Sequence, residues 1–213
     1  MVAGLRQQLN ALGYSRFDIV LPDEDADVVP LDGALRLSLD AGTYTWATVD
    51  DQLPYLLATA ASAGEARDLV LRYLSRPLPA ERLVRRAELD DRDDQVNAGY
   101  VALREDLATA GRRGLVVDLP AGLPVDRVGA LDGVHVYATG TPFEQRSLPP
   151  TVLRPDNALH QFVTRGELRV RAAFTPAGFG HPGGGIRFTV DAAKTGIRDL
   201  VVQRLLQRVR VLD

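Results

Sequence analysis

Hydrophobic positions along this chain change period several times, and each change marks an element. Val2, Leu5, Leu9 and Leu12 recur at helical spacing and stop at Gly13, which predicts a first helix with a glycine stop. Phe17 to Leu21 is a short apolar run, and Pro22 to Asp27 reads as an acidic loop. Leu35, Leu37 and Leu39 alternate with polar neighbours, and Tyr44, Trp46 and Thr48 do the same across D-A-G-T. That pattern predicts a β-hairpin with Gly42 in its turn. Ser62 and Glu65 form a capping box ahead of a helix whose Leu69, Val70, Tyr73 and Leu74 share one face, closed by Pro77. Residues 1–89 therefore read as a small α+β module, without histidine and with its acids scattered.

Asp90 to Asp94 (D-D-R-D-D) reads as a solvated linker, because its carboxylates lack the spacing and the central glycine of an EF-hand loop. A second segment, residues 95–213, follows. Val96, Tyr100, Leu103 and Leu107 predict a helix from Val96 to Ala110, ended by Gly111, and Leu115 to Leu119 reads as a strand. Near the end, Ile197, Leu200, Val201 and Leu205 predict an amphipathic helix starting near Thr195. Arg204, Arg208 and Arg210 are then expected to face its C-terminal dipole, and Val209 and Val211 to form a closing strand.

Composition narrows the classes. The 213 residues are 46% hydrophobic, enough for a real core, and carry a net charge of −3, which argues against a nucleic-acid partner. Cysteine is absent, which excludes disulfides, thiolate metal sites and a cysteine nucleophile. No apolar run reaches the ~18 residues of a membrane span. The N-terminus lacks a basic head and apolar core, so the expectation is a chain made in the cytoplasm, with export by a route that reads no N-terminal signal peptide left open.

The richest chemistry lies at Phe179 to Phe188, F-G-H-P-G-G-G-I-R-F. Gly183, Gly184 and Gly185 can adopt φ > 0 and let a ligand approach, so their N–H groups are expected to form an anion-binding concavity. Upstream, Val125 to Pro150 holds D-R-V-G-A-L-D-G and G-T-P-F-E-Q-R-S-L-P-P. In this order the three motifs resemble the TNT family, the tuberculosis necrotizing toxin domain, from about Pro120 to Val209. The resemblance implies a compact, mostly β domain with small helices that hydrolyses NAD⁺ to nicotinamide and ADP-ribose. NAD⁺ is then the substrate and no cofactor is needed. The fold expectation is α+β: a C-terminal TNT-like domain preceded by the small N-terminal module.

The resemblance also implies a site. Arg127 matches an arginine needed for activity, and Arg146 one that lines the pocket. Together with the triple glycine they are expected to converge on a pyrophosphate, which takes bidentate guanidinium groups and backbone donors. Glu144, the nearest carboxylate, suits an electrostatic stabiliser or base, and equally a structural partner for Arg146. Phe143 fits stacking on a ligand ring or anchoring its loop. His160 stands near the family's cleft histidine, and a core histidine is the alternative. Two positions depart from the pattern: His135 replaces a pocket aromatic, and Arg187 a glutamine that active members require. A guanidinium there opposes a sugar that becomes cationic, and favours a more anionic ligand such as ADP-ribose or NADP⁺. The alternative reading is thus a catalytically degenerate relative that binds a nucleotide or a partner protein. Family toxins are usually accompanied by an immunity protein, an implied partner here. No H-x-x-x-H spacing occurs and zinc is not expected.

Overall fold

A computed structural model describes residues 4–22, 24–25, 27–149, 152 and 158–212. Val2 of the expected first helix, Asp23 of the acidic loop, Pro150 of the E-Q-R-S-L-P-P motif and the Val96 side chain lie outside the described residues. The fold is α+β, and the chain forms two compact units.

The first unit combines residues 1–77 with 130–134 and 193–198. Its elements are α1 (Leu5–Ala11), β1 (Ile19–Val20), β2 (Leu35–Asp40), β3 (Thr43–Asp50), β4 (Leu53–Ala60) and α2 (Ala63–Ser75). The sheet order is β1-β2-β3-β4, with β1 and β2 parallel and the other pairs antiparallel. Ala41 and Gly42, with φ of 45° and 80°, make the expected two-residue hairpin turn. A second such turn at Asp51 and Gln52 lacks a glycine, which hid it in the sequence. The strand it leads into, β4, tolerates Pro54 because it lies at the sheet edge. Ser62 caps α2 by accepting from the Glu65 N–H, and the Glu65 carboxylate accepts in return from Ala61. Leu5, Leu9, Leu37, Trp46, Val70 and Tyr73 fill the core.

Residues 130–134 and 193–198 join this unit through polar bonds. The Tyr73 hydroxyl donates to Asp132 at 2.9 Å, and Arg198 donates to both Asp132 oxygens at 2.8 and 3.1 Å. Asp50 accepts from the Val134 N–H at 2.6 Å. Burial works against the Arg198 charge, but the paired Asp132 outweighs it and raises the Arg198 pKa.

The second unit holds the chemistry-bearing motifs. It contains β5 (Arg82–Arg85), α3 (Arg86–Ala110), β6 (Leu115–Leu119), β7 (Pro124–Gly129), β8 (His135–Ala138), α4 (Phe143–Arg146), β9 (Ala158–Thr164), β10 (Leu168–Phe174), β11 (Ile186–Val190) and β12 (Leu206–Leu212). A further helix, α5 (Ile197–Val202), begins in the first unit and ends in the second. The sheet order is β5-β12-β9-β7-β8-β11-β10-β6, and every pair is antiparallel except β5 with β12. Phe162, Phe188, Ile186, Val125 and Val136 are buried in it.

Two local expectations are corrected. Asp90–Asp94 is not a linker but lies inside α3, which begins ten residues before the expected Val96. Acidic residues suit the first turns of a helix, and Glu88 pairs with Arg92 one turn on, at 3.0 Å. Arg208 and Arg210 do not face a helix end: α5 stops at Val202, Arg204 takes a left-handed φ of 62°, and both arginines lie on β12.

Candidate functional site

Strands β7, β8 and β11 are neighbours at the centre of the second sheet. Their register puts Asp126 opposite Tyr137, Tyr137 opposite Arg187, and His135 opposite Thr189. Directly opposed residues share a face, so Asp126, His135, Tyr137, Arg187 and Thr189 form one polar patch on one side.

Asp126 is 2% exposed and Arg146 4%. Arg146 donates from Nη1 to Oδ1 at 2.5 Å and from Nη2 to Oδ2 at 3.0 Å, a bidentate pair. Its Nε donates to the Thr141 carbonyl at 2.8 Å, and its Cζ stands 5.0 Å from the Tyr137 ring centre. All three guanidinium nitrogens are therefore engaged within the protein. Arg146 ties the one-turn helix α4 to β7, with Asp126 and not Glu144 as its partner. Sequence reasoning missed the role of Asp126, because a partner twenty positions away leaves no local signal.

Arg127 follows Asp126 on β7, so its side chain leaves the opposite face. It is 3% exposed, and its Nη1 donates to the His135 carbonyl at 2.9 Å, just beyond the point where β7 and β8 stop pairing. His160 lies directly across from it on β9. Burial first, then the charges of Arg208 and Arg127, push the His160 pKa below 6.5, against a backbone bond to Gly129 and the charge of Glu81. On the other face, the His135 Nδ1 lies 3.0 Å from the Thr189 hydroxyl. His135 and Arg187 thus share one face of adjacent strands, while Arg127 reaches the His135 backbone carbonyl from the other face. Arg127 and Arg146 do not converge on one anion, because Arg146 is held by Asp126, and Arg127, the next position of β7, leaves the opposite face.

The triple glycine also differs from expectation. Gly183 donates to the Glu144 carbonyl at 3.2 Å, Gly184 to Thr175 at 2.9 Å and Gly185 to Gln145 at 3.0 Å. Each N–H already has an acceptor, so the loop is no open anion concavity. Glycine is required for close packing instead. A Cβ on Gly185 would stand 2.6 Å from the Thr141 methyl, one on Gly183 2.5 Å from the Thr175 carbonyl, and Gly184 holds φ at 90°. The loop thereby fastens α4 through the Glu144 and Gln145 carbonyls. Phe143 meets His181 edge-on at 5.4 Å between ring centres, and the Glu144 side chain is exposed. No group of three or more His, Cys, Asp or Glu suited to a metal ion occurs among the described residues, and no helix among them is long and apolar enough to cross a membrane.

Comparison with known proteins agrees with the motif reading. Residues 118–209 match the family model "Tuberculosis necrotizing toxin". The C-terminal part of the chain carries a TNT-like domain. Among solved structures, the chain is similar to tuberculosis necrotizing toxin complexed with its immunity factor, at 20% identity and a TM-score of 0.37. That similarity covers 45% of this chain and 57% of the matched chain. No curated protein matches.

Proposed function

We propose that the TNT-like domain hydrolyses NAD⁺ at the bond between nicotinamide and ribose. The observation that supports this reading is the adjacency of β7, β8 and β11, which sets His135 and Arg187 on one face with Arg127 bonded to the His135 carbonyl behind them. Arg127, His135 and Arg187 are the positions that the resemblance assigns to the required arginine, the pocket aromatic and the required glutamine. In the reaction the C–N bond breaks with its electron pair going to nicotinamide, which leaves neutral. The sugar becomes oxocarbenium-like, and water adds to it and loses a proton. Arg187 suits the anionic diphosphate of the substrate or the extra phosphate of NADP⁺, while Arg127 holds the His135 backbone from the other face. The ligand is substrate, not cofactor. An immunity protein is a partner we propose on the family resemblance alone.

A second reading, a non-catalytic nucleotide or partner binder, is favoured by one observation. Arg187 brings a positive charge to the position where the family has glutamine, opposing a developing sugar cation. Nicotinamide release from NAD⁺ and NADP⁺, measured for the wild type and Arg187→Gln, tests both. Release by the wild type that falls or holds in the variant supports the enzyme reading, with Arg187 a working part of an altered site. Release by the variant alone, or NAD⁺ binding without release by either protein, supports the binder. Neither release nor binding refutes both.

A further inference from the structure

β9 and β12 pair from Thr164 with Leu206 to Gln161 with Val209, and there the ladder ends. Both strands continue: β12 runs to Leu212 along β5, and β9 reaches back to Ala158 along β7. Where they part lies a cavity of about 370 Å³, lined by Glu81, Arg86, His160, Gln161, Arg208 and Arg210 among others. Among the described lining residues are three guanidinium groups and one carboxylate, Glu81, which pairs with Arg208. Arg86 is the first residue of the 25-residue helix α3, so the positive end of its dipole adds to the field. From this geometry we propose that the notch between β9 and β12 binds a dianionic phosphate, free or at the end of a mononucleotide.

The residue types fit this chemistry. Planar guanidinium groups pair two phosphate oxygens at once, and the volume falls within the range of small-molecule pockets and exceeds the needs of a bare ion. Among the described residues, Arg127 on β7, Arg208 on β12 and Glu81 ahead of β5 act on the His160 ring, and Arg210 on β12 and Arg86 on α3 line the same cavity. Burial and, after it, the charges of Arg208 and Arg127 lower the His160 pKa; a dianion placed among these cations offsets their part, so binding should raise it. Nothing in this inference depends on NAD⁺ cleavage.

The test is titration of the full-length protein with inorganic phosphate and, separately, with AMP. The reporter is the His160 ring resonance in proton NMR, assigned by its loss in His160→Gln. The expected result is a saturable shift of His160 and a raised titration midpoint, with His135 and His181 unaffected. Arg86→Ser and Arg210→Ser, both at exposed positions and so expected to fold, should each weaken binding about tenfold, the loss of one charge-assisted contact. Tighter binding of AMP assigns a nucleotide, and equal binding a phosphate alone. No saturable shift with either probe, or unchanged affinity in both arginine variants, overturns the proposal.

Discussion

Arg146 has two possible roles with opposite signatures, as a ligand arm or as an internal tie. In the structure it donates three hydrogen bonds, two to Asp126 and one to Thr141, at 4% exposure. Arg146→Ala would leave the Asp126 carboxylate buried without its counter-charge. Breaking one partner of such a pair costs about 3–5 kcal/mol, far above the ~0–1 kcal/mol of an exposed pair. Arg169 and Asp118, 3.9 Å apart and more than half exposed, supply that control. Urea denaturation followed by far-UV circular dichroism should show a large loss for Arg146→Ala and almost none for Arg169→Ala. Replacing both buried partners with apolar residues, Asp126→Leu with Arg146→Met, should cost less than the two single changes added together, with a coupling of about 0.5–3 kcal/mol. Trp46 fluorescence follows the first unit separately, since the only tryptophan lies in its core. If Arg146→Ala unfolds at the same urea concentration as Arg169→Ala while NAD⁺ binding collapses, Arg146 is a ligand arm and the tie described above is wrong.

Gly185→Ala should destabilise by about 1–3 kcal/mol in the same assay, because its Cβ would overpack Thr141 and the Gln145 carbonyl. Gly184→Ala faces open space and should cost only its left-handed φ, roughly 1–2 kcal/mol, and a larger loss than at Gly185 would contradict the packing argument. For His160 the folded pKa lies below 6.5, so the unfolded chain binds more protons, and stability falls as pH drops through 6.5 towards the folded pKa. His160→Gln should flatten that slope between about pH 5 and pH 7.5, and an unchanged slope in urea unfolding would show that His160 does not set it.

Elements whose signals are local were legible in the sequence. Gly42 in its hairpin turn, the Ser62–Glu65 cap and the alternation of β2 and β3 each depend on residues a few positions apart. The order of the three motifs likewise marked the TNT-like domain over almost the same residues that the family model matches. An acidic run does not reveal its own conformation: Asp90, Asp91 and Asp94 are as exposed on α3 as they would be in a linker. Arg127 and Arg146 read alike in sequence, yet Arg127 and the Asp126 that holds Arg146 leave opposite faces of β7, and only pairing with Asp126 gave Arg146 its role. The three glycine N–H groups read as open donors until folding brought the carbonyls of Glu144, Thr175 and Gln145 against them. Residues 130–134 and 193–198 joined the first unit because Asp132 meets Tyr73 and Arg198. The electrostatics of His160 needed β7 and β12 on either side of β9, which sets Arg127 and Arg208 beside it. Spacing along the chain fixes which side chains a turn, a cap or a strand face presents. Which charges they meet is fixed by contacts between residues far apart in sequence, and these exist only once the sheet has formed.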